Sequence, residues 1–175
     1  TNRVGLPVIA QFSAKYIRHI EDLIGLRNIL KKYSNENIYF HLDHCDDIDL
    51  IKFCIESGFD SVMYDGSRYD LNYNIKQTNK VLNIARKYGC LVEAEIGEIG
   101  GVEDGFGDDN SSYFSQSDVV SFLAQTSLHL LALGIGNAHG IYASTNSVKI
   151  HLLKNVKPLL SNTQGLVLHG GSGLD

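Results

Sequence analysis

The stretch NIYFHLDHCDD (residues 37–47) joins a short apolar run to two histidines and three aspartates. It leads into DIDLIKFCIESG (47–58), whose apolar residues recur at helical spacing before a glycine. A buried strand that ends in titratable groups just before a helix is typical of a βα unit. We expect Asp46 and Asp47 to cap the helix. The other polar residues would then form a metal site, an acid–base site, both, or only a polar loop.

This pattern of strand and helix recurs along the whole chain. The predicted strands are 6–12, 37–43, 59–65, 90–97, 128–136 and 165–170, and the predicted helices are 20–33, 47–58, 72–89, 117–126 and 147–161. Strict alternation of this kind predicts an α/β fold with a parallel sheet. The 175 residues are enough for one domain with a sizeable core, which we predict to span 1–175.

Polar motifs at the strand ends favour a barrel over an open sheet, the two α/β architectures in which strands and helices alternate in this way. The motifs are HLDH (41–44), YDGS (64–67), EAEIG (93–97), GNAHG (136–140) and LHGGSG (168–173). A (β/α)8 TIM barrel brings all its strand ends to one catalytic face, whereas an open sheet usually builds its site at one switch point. We therefore predict a partial barrel in which strands 2 to 7 are present and the first strand and last βα unit are missing.

Composition argues against several classes of partner. The formal net charge is -5, and no basic stretch is dense enough to neutralise nucleic-acid phosphates. No apolar run approaches the roughly 18 residues of a membrane span, and the start of the chain lacks a signal-peptide pattern. The three cysteines show no CxxC spacing. We predict a cytoplasmic protein with reduced thiols and without a membrane or nucleic-acid partner.

Three histidines lie at or just beyond the ends of three predicted strands. His44, His139 and His169 follow strands at equivalent positions, each beside an acid, a glycine or a small residue. Neutral imidazoles are good zinc ligands, and three protein ligands with one open position form a catalytic arrangement. The alternative is that they are ordinary histidines of loops or core.

Several acids accompany these histidines. Asp43 precedes His44 and suits a proton-transfer residue beside a cation, or else a turn acid that orients a neighbour. Asp65 and Glu95 end two strands and either bind a second cation or make structural hydrogen bonds. Glu103 lies in the long glycine- and acid-rich loop 100–114, where we expect a mobile lid that carries either a base or a loop acid without a role.

The glycine-rich motifs GNAHG and LHGGSG predict a phosphorylated ligand. Glycines allow backbone N–H groups to surround a phosphate, and a helix that begins after GGSG would add the positive end of its dipole. Without the neighbouring histidines, such loops are equally typical of simple turns.

Taken in order, the motifs HLDH, SVMYDGS, VEAEIGEIGGVEDG, GNAHGIY and LHGGSG resemble those of a known family. This family is the class II (zinc-dependent) fructose-bisphosphate and tagatose-bisphosphate aldolases, and LPVIAQFS at the start is also similar to it. The resemblance covers essentially the whole chain. It implies a zinc-dependent lyase of carbohydrate metabolism that reversibly cleaves fructose or tagatose 1,6-bisphosphate to dihydroxyacetone phosphate and glyceraldehyde 3-phosphate.

The resemblance also implies a role for each matching residue. Asp43 would exchange a proton at the aldehyde oxygen, and Glu103 would remove the proton from dihydroxyacetone phosphate. Zinc would be bound by His44, His139 and His169, and a second or alternative metal by Asp65 and Glu95. The phosphate and monovalent-cation loops would contain Gly140, Gly170, Gly171 and Ser172, with Ser13 as a substrate-side serine.

Two residues depart from the family pattern. Cys45 stands where many members have glycine, and His129 stands where aspartate is common. The alternatives to the leading prediction are a metal-dependent barrel aldolase or hydrolase of another phosphorylated sugar, and a non-catalytic paralogue. We also expect a homo-oligomer, a dimer or a tetramer.

Overall fold

A computed structural model describes residues 6–19, 24, 25, 28, 32, 38–101, 112–140, 148–171 and 174. The strands are β1 (Val8–Ser13), β2 (Ile38–Cys45), β3 (Ser61–Tyr64), β4 (Leu91–Ile96), β5 (Gly100–Gly101), β6 (Leu130–Leu133), β7 (Ala138–His139) and β8 (Gly165–Val167). The α-helices are α1 (Ile48–Glu56), α2 (Leu71–Ala85), α3 (Gln116–Gln125) and α4 (Leu153–Val156). Short 3-10 helices span Ala14–His19, Ile150–Leu152 and Lys157–Leu159.

The predicted parallel α/β arrangement is confirmed. Six strands are hydrogen-bonded in the order β1-β2-β3-β4-β6-β8. Every strand of the sheet corresponds to one of the six predicted from sequence, although β8 is shorter than the predicted 165–170. A separate pair, β5 with β7, was not predicted, because two-residue strands carry no periodicity.

The chain divides into two compact units, the first formed by Thr1–Tyr64 with Lys80–Val92. In this unit β1 pairs in register with β2, and Leu91 N at the start of β4 donates to Asp60 O at 3.0 Å. The rings of Phe12, Phe40 and Phe59 pack together with centroids 4.9 to 5.9 Å apart. These aromatic contacts hold β1 and β2 against the turn that precedes β3.

The second unit contains Asp65–Asn79 and Glu93–Asp175. Its parallel ladder runs from β4 through β6 to β8, with Glu93 opposite Leu130 and Leu130 opposite Gly165. Val119 and Phe122 of α3 are fully buried in its apolar core. The single domain over 1–175 stays a prediction.

The helix predictions differ in their outcome. Those at 47–58, 72–89 and 117–126 are confirmed as α1, α2 and α3, and Gly58 and Gly89 follow the first two with positive φ, the conformation that ends many helices. The segment 147–161 is predicted to be mostly helix, with Pro158 interrupting its last turn, and Ile150–Leu159 is indeed helical. Its last part, Lys157–Leu159, is 3-10 helix and contains Pro158, which has no N–H to donate. Most of 20–33 lies outside the described residues.

The three cysteines are buried in the first unit and form no disulfide. Burial, with smaller contributions from Cys45 and Cys90, raises the pKa of Cys54 to about 12. The thiol of Cys45 donates to Asp47 O at 3.5 Å. Cys45 is therefore a buried residue at the end of β2. Among the described residues, we find no helix long and apolar enough to span a membrane.

We expect Asp47→Ala to lower the free energy of unfolding by about 1 kcal/mol, measured by urea denaturation. As predicted, Asp47 caps α1, since its Oδ1 accepts from Asp49 N at 2.9 Å and from Leu50 N at 3.2 Å. Asp47→Asn keeps an acceptor and serves as the matched control, with a smaller loss. Equal losses in the two variants would show that the cap bonds are not what stabilises the helix.

Candidate functional site

The end of β2 carries a buried polar row that contains Asp43. Asp43 is paired in register with Ser13 of β1, so the two side chains lie on the same face of the sheet. His41 Nε2 lies 3.8 Å from Asp43 Oδ1, and His41 Nδ1 lies 2.8 Å from Ser61 Oγ. Asp43 is only 7% exposed. The row therefore holds a carboxyl group in a fixed, nearly dry position, and its imidazole, His41, makes structural contacts.

His44 sits at a distortion of β2. Its φ is +39°, and no other described non-glycine residue has a positive φ. The β2–β3 register shifts between Leu42 and Cys45. A bulge of this kind re-aims a side chain, and a positive φ at a residue with a Cβ costs roughly 1–3 kcal/mol. Such strain is commonest at functional sites, so the backbone supports the selection of His44 from sequence.

In the second unit, the structure brings together two of the three predicted zinc ligands. His139 ends β7 and His169 follows β8, and their rings lie with centroids 5.7 Å apart at 68° to each other. One nitrogen of each ring lies within 4.8 Å of the other. His139 is half-buried and His169 is buried. We call these two residues the histidine pair.

Glu93 of β4 orients one member of the histidine pair. His169 Nε2 and Glu93 Oε1 are 2.8 Å apart, and both side chains are 3% exposed. A carboxylate accepts hydrogen bonds, so this contact favours the tautomer with the proton on Nε2, which would leave the Nδ1 lone pair for a metal. Glu93 was not among the residues predicted from sequence, although the alternation in EAEIG places it on the same face as Glu95.

The two predicted carboxylate ligands also lie together in the second unit. Asp65 and Glu95 each offer an oxygen within 4.8 Å of the other. Asp65 Oδ1 accepts from Ser67 N at 3.1 Å and from Ser67 Oγ at 2.7 Å. Glu95, only 1% exposed, accepts at Oε1 from Ile99 N at 3.2 Å. This oxygen donor set suits a hard cation such as magnesium or calcium.

The glycines selected from sequence fall into two groups. Gly140 and Gly170 have φ of +94° and +64°, so the turns after β7 and β8 require residues without a Cβ. A Cβ added at Gly171 would meet only the Leu168 side chain at 3.4 Å, which is ordinary contact. Ser172 and the loop acid Glu103 lie outside the described residues.

His129 does not belong to the histidine pair. It directly precedes β6, at the opposite end of that strand from the turn leading to His139, and its carbonyl accepts from Gly165 N at 2.9 Å. Burial lowers the pKa of its imidazole, which keeps the ring neutral at neutral pH. Its departure from the family pattern thus places a neutral side chain away from the site.

Comparisons with known proteins agree on one family. The family model "Fructose-bisphosphate aldolase class-II" matches residues 1–175. A sulfofructosephosphate aldolase of Alkalicoccus urumqiensis is 34% identical over 170 residues, which cover 95% of this chain and 58% of that protein. A fructose-bisphosphate aldolase of Ureaplasma parvum is 33% identical over 177 residues, covering 99% of this chain and 59% of that protein.

A solved structure gives the same result for the fold. A Coccidioides immitis structure assigned as a fructose-1,6-bisphosphate aldolase matches with a TM-score of 0.84 and 26% identity. The match covers 97% of this chain and 61% of that one. It confirms the predicted fold class, that of a partial (β/α)8 barrel. The chain spans somewhat under two thirds of the length of each of these relatives.

We expect His169 of the metal-free protein to carry its proton on Nε2 at neutral pH, because the Glu93 carboxylate accepts from that atom. Long-range ¹H–¹⁵N correlation spectra of the imidazoles measure the tautomer directly. The exposed His151 serves as an internal control, in which both tautomers exchange. A His169 ring protonated on Nδ1 instead would contradict the assignment.

Proposed function

The chain belongs to the class II fructose-bisphosphate aldolase family, whose members are carbon–carbon lyases, and we propose that the protein is a zinc-dependent ketose-bisphosphate aldolase. The reaction would be the reversible cleavage of fructose or tagatose 1,6-bisphosphate to dihydroxyacetone phosphate and glyceraldehyde 3-phosphate. The observation that carries the proposal is the histidine pair with its Glu93 partner, inside a chain that the family matches from end to end.

The donor set of the second unit fits zinc. Two imidazole nitrogens lie close together, and one belongs to a ring whose far side is held by a carboxylate, which is the usual support of a zinc-binding histidine. We propose His44 as the third ligand, since it occupies the matching family position and has a strained backbone. Three nitrogen ligands would leave one position open for substrate oxygen.

Zinc, when bound, would supply a Lewis acid that stabilises negative charge developing beside the ketone as the carbon–carbon bond breaks. The chain must supply the proton transfers. We assign Asp43 to accept the proton of the C4 hydroxyl in cleavage and to return it in the reverse direction. Its burial and its place beside His41 hold the carboxyl group in one position. Ser13, on the same face, would contact the substrate, and Glu103 would move the proton at carbon.

A second set of residues would bind the phosphates. Gly140 and Gly170 adopt positive φ after β7 and β8, so their turns present backbone N–H groups without side chains in the way. Gly171 follows Gly170 in the second turn, and we propose Ser172 as a further phosphate contact from its place in the sequence. Phosphate bound here would supply binding energy remote from the reacting carbon, which orients the substrate. We further propose Asp65 and Glu95 as ligands of a second cation.

One comparison favours a second candidate substrate. The relative at 34% identity is named as a sulfofructosephosphate aldolase, and its similarity to this chain matches that of the fructose-bisphosphate aldolase. A sulfonated sugar phosphate would need the same metal and proton-transfer groups, so it is the alternative substrate we propose.

The compartment and assembly follow as further proposals. Three buried cysteines without a disulfide support a cytoplasmic location. The homo-oligomer and the lack of a nucleic-acid partner stay predictions.

Treatment of the intact protein with a chelator should abolish aldol cleavage, and added zinc should restore it, because the proposed chemistry needs a Lewis acid. Release of triose phosphate from fructose 1,6-bisphosphate, tagatose 1,6-bisphosphate and sulfofructose phosphate can be followed in parallel with a coupled assay. The substrate with the highest kcat/KM identifies the preferred sugar. Cleavage that survives complete removal of metal would refute the zinc-dependent mechanism.

Asp43→Ala should reduce kcat by about 10²- to 10⁴-fold, the usual contribution of a positioned acid or base. The zinc content, measured by atomic emission, should stay at the wild-type value, since Asp43 is not assigned as a ligand. Asp46→Ala removes an exposed acid from the same segment and is the matched control, with kcat close to wild type. Unchanged kcat in Asp43→Ala would remove the proton-transfer role.

A further inference from the structure

We propose that Asn137 is a positioning residue for the histidine pair, acting by tying together the two chain segments that carry His139 and His169. The inference rests on the proposed zinc site, and it concerns a residue that touches neither metal nor substrate. It assigns a role to the amide of GNAHG, which the sequence analysis treated only as part of a glycine-rich loop.

The side chain of Asn137 makes two hydrogen bonds to backbone. Its Oδ1 accepts from Ile135 N at 2.9 Å, and its Nδ2 donates to His169 O at 3.0 Å. Asn137 is 1% exposed, so both bonds are shielded from solvent. A buried polar group that loses its partner keeps its desolvation cost, so the two bonds constrain the backbone strongly.

The same residue also fixes the strand that carries His139. The Asn137 carbonyl accepts from Gly100 N at 3.3 Å, next to the β5–β7 ladder in which His139 pairs with Gly101. The Oδ1 bond closes the turn before β7, where Gly136 has a φ of +85°. The position of His139 in the structure therefore depends on contacts made by Asn137, two residues before it.

For His169, the consequence is a ring held from two sides. Asn137 fixes its backbone carbonyl, and Glu93 fixes its Nε2 at 2.8 Å. Because the backbone carbonyl and the Nε2 side of the ring are both constrained, the Nδ1 lone pair points in one fixed direction. Metal ions bind most tightly where ligand geometry is set in advance, and loss of such supporting contacts typically weakens binding 10- to 100-fold.

A second amide, on the half-buried Gln164, also links two backbone segments through one accepted and one donated bond, away from the histidines. Gln164 accepts at Oε1 from Ser161 N at 3.0 Å and donates from Nε2 to Leu128 O at 3.0 Å. Leu128 precedes β6 and Gln164 precedes β8, so this amide joins the amino ends of the two strands. Asn137 joins segments beyond their carboxyl ends. Gln164 is thus a matched control for a purely structural role.

The test compares Asn137→Ala and Gln164→Ala in the intact protein. Zinc affinity is measured by competition with a chromophoric chelator, and ligand geometry by the visible absorption of the cobalt-substituted protein. We expect both variants to lower Tm, but only Asn137→Ala to raise the zinc Kd, by about 10- to 100-fold, and to change the cobalt spectrum. Gln164→Ala should keep the wild-type Kd and spectrum.

Two outcomes overturn the inference: a folded Asn137→Ala protein with wild-type zinc Kd and cobalt spectrum, or parallel losses of zinc affinity in both variants. If circular dichroism shows that Asn137→Ala is unfolded, Asn137→Ser, which keeps one polar group, is judged by the same criteria. Failure of the wild-type protein itself to bind zinc would instead refute the proposed function, so the two failures are distinguishable.

Discussion

The hydrogen bond between Glu93 and His169 is the interaction on which the candidate site depends. A carboxylate that is 3% exposed needs a partner, because an unpaired buried charge costs several kcal/mol. Its partner lies 76 residues away and reaches it only when the β4-β6-β8 ladder is in register, with Glu93 opposite Leu130. The same register thus makes the ladder stable and leaves one imidazole nitrogen turned away from the carboxylate.

Regular strand geometry stops where the functional residues begin. His44 takes a positive φ at a bulge, and Gly97, Gly136, Gly140 and Gly170 all follow strands with positive φ. A side chain at Gly97 would meet the backbone of Phe114 and Ser112. The strands therefore provide rigid supports, and the residues just beyond them adopt the specific conformations that aim ligands and expose N–H groups.

Sequence reasoning succeeded where the signal was local and missed contacts between distant residues. Periodicity predicted the six parallel strands, and an aspartate just before a helical pattern predicted the cap at Asp47. His139 and His169 were selected for their places at strand ends, and their rings lie next to each other. These local patterns did not find Glu93 or Asn137, whose partners lie 76 and 32 residues away.

The histidine pair differs from His41 and His151 in its contacts with the rest of the chain. His151 is exposed, and His41 is held by Ser61 inside a polar row. His139 lies on β7, which pairs with β5, and His169 is held through backbone and ring. An immobilised imidazole loses little entropy on binding a metal, whereas a mobile surface ring must be ordered first. Immobilisation combined with a second ring nitrogen within 4.8 Å is the physical reason to assign metal binding to this pair.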